Sequence, residues 1–302
     1  MYHLPGWPEQ PRHLKGHDME PGKHSHMAEG TAYLRAVHMS IDGEPKILED
    51  PLAAQLLGPG LDDRIAAERE RLAMPGLIKA RSMVTMRSRY AEDELTAAID
   101  RGVNQYVILG AGLDTSPYRD CHPANSIRIF EVDHPDTQSW KLEKLNIAGI
   151  QVPDNVHYVA VNFESDSLAE RLTAGGFNND EPAFISWLGV TYYLHREAIL
   201  DIFKYVAHLP SPSQLVFDFI VGVAELSEPD RASMKAIKSY AEEYGEPWIS
   251  QFEPTELRQM LSDSGFGETF HLSHALATRK YFEGRADGLY MDTLTEMMSA
   301  IV

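Results

Sequence analysis

Leu109-Gly110-Ala111-Gly112-Leu113-Asp114-Thr115 closes an apolar run with two glycines in three positions. Without Cβ atoms, such a turn is tight and lets the backbone approach a bound ligand. The dinucleotide form of this turn needs a small residue three positions after the second glycine. Thr115 stands there instead, which disfavours a pyrophosphate on the following helix and with it a nicotinamide or flavin cofactor. About twenty residues beyond Gly112, Glu131 and Asp133 end a second apolar run, where a carboxylate can accept hydrogen bonds from both ribose hydroxyls. Turn and acid together imply an adenosine-type ligand lacking a pyrophosphate; the competing reading makes both acids solvated strand-end residues. Tyr192, Tyr193 and His195 follow a later apolar run and have the chemistry to bind or deprotonate a substrate hydroxyl. Core packing of the tyrosines and capping of the next helix by His195 are the structural alternatives.

These residues need a scaffold, and the chain supplies an alternating one. Apolar runs at 106–109, 127–130, 158–161, 184–188 and 215–220 recur at βαβ spacing and predict a parallel, doubly wound sheet. Ligands in such sheets bind beyond the carboxyl ends of the strands, where the turn and the acids lie. Upstream, residues 31–101 read as a helical cap contributing to the cofactor and substrate site. Thr31 to Ser40 is one candidate helix, Asp50-Pro51 opens another as N-cap and first-turn proline, and Arg81 to Ile99 is amphipathic. Residues 1–30, rich in proline, glycine and histidine, read as a flexible arm, leaving 102–302 as the sheet domain. His24-Ser25-His26 has no carboxylate or thiolate at ligand spacing, so no metal site is expected.

Composition narrows the partners. The 302 residues carry a formal charge of −18, which repels nucleic acid at long range. The single cysteine, Cys121, forbids an internal disulfide and fits a reducing cytoplasm. No apolar run approaches the length of a membrane span, and the amino terminus lacks the basic and apolar segments of a secretion signal. A cytoplasmic chain with no membrane partner is expected.

The sequence resembles the leucine carboxyl methyltransferase family, specifically its bacterial branch of small-molecule O-methyltransferases associated with polyketide tailoring. The segments that carry the likeness are Ile47 to Ala53, Arg87 to Asp93, Gly110 to Thr115, Phe130 to Pro135, Gly189 to Leu194 and Tyr281 to Leu289. The resemblance implies a class I methyltransferase: an α/β, Rossmann-like, doubly wound sheet of about seven strands with an N-terminal helical cap. It implies S-adenosyl-L-methionine as cofactor and S-adenosyl-L-homocysteine as product. By the same likeness Gly110, with Gly112 and Asp114 in its turn, approaches the methionine part of the cofactor. Asp133 or Glu131 holds the ribose, and Arg87 pairs with the cofactor carboxylate, a task suited to its two-pronged guanidinium. Arg81 and Arg89 compete with Arg87 for that role. Arg285 and Asp287, in the last segment, read as a structural ion pair fastening a turn.

Two positions depart from the family pattern. Asn162-Phe163 stands where the family has Asp-Phe against the adenine; asparagine still donates and accepts there. Leu188 replaces the acid before Gly-Val-Thr and offers only its backbone carbonyl to the cofactor's ammonium. The expected activity is O-methylation of a carboxyl or hydroxyl on a small-molecule acceptor. Leu188 motivates the alternative of a cofactor-binding protein that has lost methyl transfer; a protein C-terminal carboxyl methyltransferase is the alternative within the family.

Overall fold

Asp50 and Pro51 begin a helix as their types require: the Asp50 carboxylate accepts the Ala53 N–H at 3.0 Å, and Gly58, at φ +86°, ends the helix seven residues later. The computed structural model describes residues 25–119, 127–163, 166–223, 226–243 and 247–302. Cys121, His24 and the arm up to residue 24 lie outside the described residues. Four N-terminal helices, α1 (His26–Ile41), α2 (Pro51–Leu57), α3 (Leu61–Ala67) and α4 (Arg69–Leu72), precede the long α5 (Pro75–Asp100). The first begins earlier than the periodicity predicts, because Ser25 caps it by accepting the Ala28 N–H at 3.2 Å. The expected arm therefore ends at the cap, and residues 26–30 are helix.

Seven strands follow: β1 (Gln105–Leu109), β2 (Arg128–Asp133), β3 (Val156–Ala160), β4 (Ala183–Trp187), β5 (Gln214–Ile220), β6 (Glu268–Leu272) and β7 (Thr295–Ile301). They form one sheet in the order β3-β2-β1-β4-β5-β7-β6. The first five pair in parallel and β7 runs antiparallel to both its neighbours. This is the class I methyltransferase sheet, with the order reversing at β1 and opening a crevice between β1 and β4. Successive residues of β1 face opposite cores, Val107 and Leu109 on one side, Tyr106 and Ile108 on the other. Both faces are covered, so the parallel strands read as continuous apolar runs. On the first side Trp187, Phe203 and Phe217 are fully buried against one another. Truncating any of these rings to alanine would cost about 3–5 kcal/mol.

The N-terminal helices divide between two roles. Tyr33, Ala36, Val37, Ala53, Leu61, Ile65 and Leu72 of α1 to α4 make a small core of their own. In contrast, α5 is not cap: Met86, Tyr90, Ala91, Leu95 and Ala98 pack into the sheet core with Tyr106, Ile108 and Phe184. Between the strands run α6 (Pro135–Ala148), α7 (Leu168–Ala174), α8 (Arg196–Ala207), α9 (Glu228–Glu243), α10 (Pro254–Ser264) and α11 (His274–Ala277). Arg285 ties the C-terminal turn to the N-terminal helices, donating to the carbonyls of Pro45 and Gly43, while Asp287 accepts the Gly43 N–H at 2.9 Å. Among the described residues no helix is long and apolar enough to cross a membrane.

Candidate active site

The turn after β1 leaves no room for a side chain at Gly110 and little at Gly112. Gly110 has φ +71°, and a Cβ on it would lie 2.5 Å from Val190 Cγ2. Gly112 has φ +44°, and a Cβ there would lie 3.2 Å from that of Ala28 on α1. Both conformations favour glycine, and both glycines line a cavity of about 1100 Å³ at the carboxyl ends of β1, β2 and β4. Asp114 lines it too, its carboxylate accepting the Ser116 N–H at 2.7 Å.

The two acids of β2 part company here. Asp133 faces the cavity, its two carboxylate oxygens accepting the N–H groups of Gly112 (2.5 Å) and His134 (2.7 Å). An ionised carboxylate has about four acceptor sites, so capacity remains for hydroxyl donors. Burial raises the Asp133 carboxyl above its usual range despite the two amide donors. Glu131 departs from the ribose expectation. It is buried beneath α6, 2.6 Å from Lys141 Nζ, and accepts the Tyr118 hydroxyl at 2.5 Å. Neighbouring positions on one strand face share direction, but only the end of β2 reaches the crevice.

The three arginines also separate. Arg81 is buried in a two-pronged pair with Asp42 (2.7 and 2.9 Å), and Arg89 pairs on the surface with Asp93 at 2.7 Å. Neither lines the cavity, whereas Arg87 does. Arg87 Nη1 lies 3.0 Å from Asp218 Oδ2 and 3.5 Å from the Tyr192 hydroxyl. The guanidinium is also why residue 189 is glycine: a Cβ there would lie 2.7 Å from Nη2, and φ is +76°. Tyr192 is buried, and burial with the nearby Asp218 charge pushes its phenol up to about 12. A phenol held protonated beside a cation is placed to fix Arg87 rather than to act as a base at neutral pH.

Tyr193 and His195 line the mouth of the cavity, the first half-buried and the second exposed. His195 occupies the N-cap position of α8, yet its side chain makes no capping bond. Asn162, Phe163 and Leu188 line the same cavity, so the two departures from the family pattern both lie at the site. The expected helical cap does roof the cavity, but no sequence signal singled out the residues that do so. Met27, Ala28, Thr31 and Arg35 of α1 line it, and Arg35 is locked in place by Asp50 (2.7 Å) and the Leu113 carbonyl (2.6 Å). Asp218 was missed as well, although a lone acid inside the apolar run 215–220 is a readable signal. Arg35 and Arg87 are each paired with a buried carboxylate, while Asp114, Asp133, Asp136 and Glu197 also line the cavity, leaving it acidic. Among the described residues no group of three or more histidine, cysteine or acidic side chains could hold a metal ion.

The profile of the leucine carboxyl methyltransferase family matches residues 28–207, more than half of the chain. The chain belongs to the leucine carboxyl methyltransferase family. The match begins on α1 and ends with α8, so it contains the Gly110 turn, Asp133, Arg87 and the Tyr192 to His195 segment. A Bacillus subtilis relative, provisionally named the S-adenosyl-L-methionine-dependent methyltransferase YktD, is 35% identical over 204 residues, covering 67% of each chain. A Mycobacterium avium relative with the same provisional description is 31% identical over 207 residues, 66% of this chain and 68% of that one. Methyl transfer from S-adenosyl-L-methionine is the activity class that family membership carries. The fold agrees: a Thermobifida fusca structure, provisionally described as a methyltransferase, superposes with a TM-score of 0.58 at 16% identity, covering 93% of this leucine carboxyl methyltransferase family chain and 96% of that one.

Proposed function

We propose that this chain is an O-methyltransferase that moves the methyl group of S-adenosyl-L-methionine to a carboxyl or hydroxyl oxygen of a small molecule of the secondary-metabolite type, a polyketide being the model acceptor. The observation that carries the reading is the junction of Gly112 with Asp133: a glycine turn bonded to a carboxylate that keeps free acceptor sites, both facing one cavity. The residues present fit the cofactor. Gly110 and Gly112 give it room, Asp133 accepts from a ribose, Asn162 and Phe163 border the adenine position, and Arg87 answers the carboxylate. The acidic lining favours a cationic ligand. A cavity of about 1100 Å³ exceeds the roughly 300–1000 Å³ of a drug-sized ligand pocket, which leaves space for an acceptor beside the cofactor.

When bound, S-adenosyl-L-methionine supplies an electrophilic methyl group on a sulfonium. The protein's task is then to orient the acceptor oxygen and exclude water. The α1 roof and the apolar Val190, Leu194, Pro247 and Ile249 serve that exclusion. A carboxylate acceptor is already ionised at pH 7; a hydroxyl needs its proton removed, and the exposed His195 is the group placed to take it.

Titrating the protein with S-adenosyl-L-methionine and S-adenosyl-L-homocysteine tests the reading. Micromolar affinity, about 8 kcal/mol, lost in Asp133→Ala is the expected result. Binding of neither ligand would overturn it. Leu188 at the cofactor position supports a second reading, a cofactor-binding protein without methyl transfer. Production of S-adenosyl-L-homocysteine with any acceptor from a panel of phenols and carboxylates would eliminate that one.

A further inference from the structure

Asp218 lies in β5, a strand whose seven residues are all buried, and has no exposed surface. Burying a carboxylate there carries a desolvation cost that an apolar residue would not, and only good geometry with further hydrogen bonds offsets it. Outside the β5–β7 ladder, its bonds run to the turn after β4 and to Arg87. Oδ1 accepts the Gly189 N–H at 2.6 Å, Oδ2 meets Arg87 Nη1 at 3.0 Å, and the Asp218 carbonyl accepts the Thr191 hydroxyl at 2.6 Å. Arg87 and Gly189 line the cavity, and Asp218 does not. Whatever it contributes to ligand binding therefore passes through those two residues.

We propose that Asp218 is a positioning residue, which holds the Arg87 guanidinium and the Gly189 amide fixed at the amino-acid end of the cofactor pocket. The proposal rests on the S-adenosyl-L-methionine reading above. An arginine reaching from α5 across to the end of β4 has many rotamers, and a ligand that had to order it would bind more weakly. Asp218 removes that cost in advance. It also sets the path of the Gly189 turn, so that the guanidinium and the glycine stay in van der Waals contact. The loss of the family's acid at Leu188 makes this prepositioning matter more, since the ligand's carboxylate is then the charged handle at that end.

The test compares two ligands that differ only at this end. S-adenosyl-L-homocysteine carries the amino-acid group, and 5′-methylthioadenosine has the same adenosine and thioether without it. In calorimetric titrations, Asp218→Asn is expected to weaken S-adenosyl-L-homocysteine roughly tenfold to a hundredfold, the range for a hydrogen bond to a charged group. Binding of 5′-methylthioadenosine is expected to stay at the wild-type value. Arg87→Met should show the same pattern, and Arg87→Met/Asp218→Asn should lose no more than Arg87→Met alone. Equal weakening of both ligands, or of neither, would overturn the positioning role, as would additive losses in the double variant. If Asp218→Asn does not fold, the double variant, which leaves no buried charge unpaired, carries the same two-ligand comparison against wild type. Failure of the wild-type protein to bind either nucleoside would instead overturn the cofactor reading itself.

Discussion

Gly110 and Val190 are so closely apposed that a methyl group on the glycine would lie 2.5 Å from Val190 Cγ2, with the backbone at φ +71°. The contact joins the turn after β1 to the turn after β4 across the crevice. Gly110→Ala therefore meets two penalties. The left-handed backbone alone costs roughly 1–3 kcal/mol for a residue with a Cβ, and the collision adds to it. Lower stability in urea unfolding and weaker S-adenosyl-L-homocysteine binding are expected. Adding Val190→Ala should relieve the collision and recover part of the loss, leaving the backbone share. Wild-type stability in the single variant would show that the two turns are not tightly held.

The Gly110 turn and the strand-end Asp133 beside it were legible because a tight glycine turn after one strand and an acid ending the next stand at a fixed spacing in the sequence. Five strands were legible because parallel strands covered on both faces are continuously apolar. The last two were not: β6 alternates in exposure along its length, and β7 carries Thr295, Glu296 and Ser299 among its methionines. Glu131 and Asp133 could not be separated from sequence, since both lie on the same strand face and only the end of the strand reaches the crevice. The early start of α1, and which of its residues cover the site, were hidden for a similar reason. Its helix starts on a serine cap within a stretch whose glycines and prolines suggest irregular chain, and what it covers is set by long-range packing against Gly112.

Lys141 is buried with Glu131 at 2.6 Å, beneath the strand end that carries Asp133. Removing one partner leaves the other charge buried alone, which typically costs 3–5 kcal/mol, whereas replacing both with apolar residues is often neutral. Lys141→Met is thus expected to destabilise the fold by about 3–5 kcal/mol. Lys141→Met/Glu131→Leu is expected to regain most of it. Thermal unfolding of the two variants side by side decides the matter, and a double variant no more stable than the single would show that the pair is needed for more than charge balance.

Asp287 links the C-terminal turn to the loop after α1. Burial pushes its carboxyl up, but Arg285 and the Gly43 amide outweigh that and hold it at about 2. A carboxyl lowered in the folded state stabilises above its unfolded value of about 3.9, and that stabilisation is lost as pH falls through about 2. The difference amounts to at most about 2.6 kcal/mol at neutral pH, less whatever solvent screening removes at this partly exposed pair. Asp287→Asn should show that loss at pH 7, with the gap from wild type shrinking as pH falls from 4 to 2. A gap independent of pH would mean that the turn, rather than the charge, supplies the stability.

His195 sits exposed at the cavity mouth, at a cap position it does not use for capping. The bond it leaves unmade is a reason to look for another task, and a hydroxyl acceptor would supply one. With such an acceptor, His195→Ala is expected to lower kcat by roughly 10²–10⁴-fold, the usual contribution of a positioned base. S-adenosyl-L-homocysteine affinity should not change, because His195 is not among the residues proposed to hold the cofactor. With a carboxylate acceptor the same variant should turn over as wild type does, since no proton has to leave. The contrast between the two acceptor types, measured on one protein preparation, assigns both the residue and the atom methylated. Undiminished turnover of a phenol by His195→Ala would remove His195 from the chemistry.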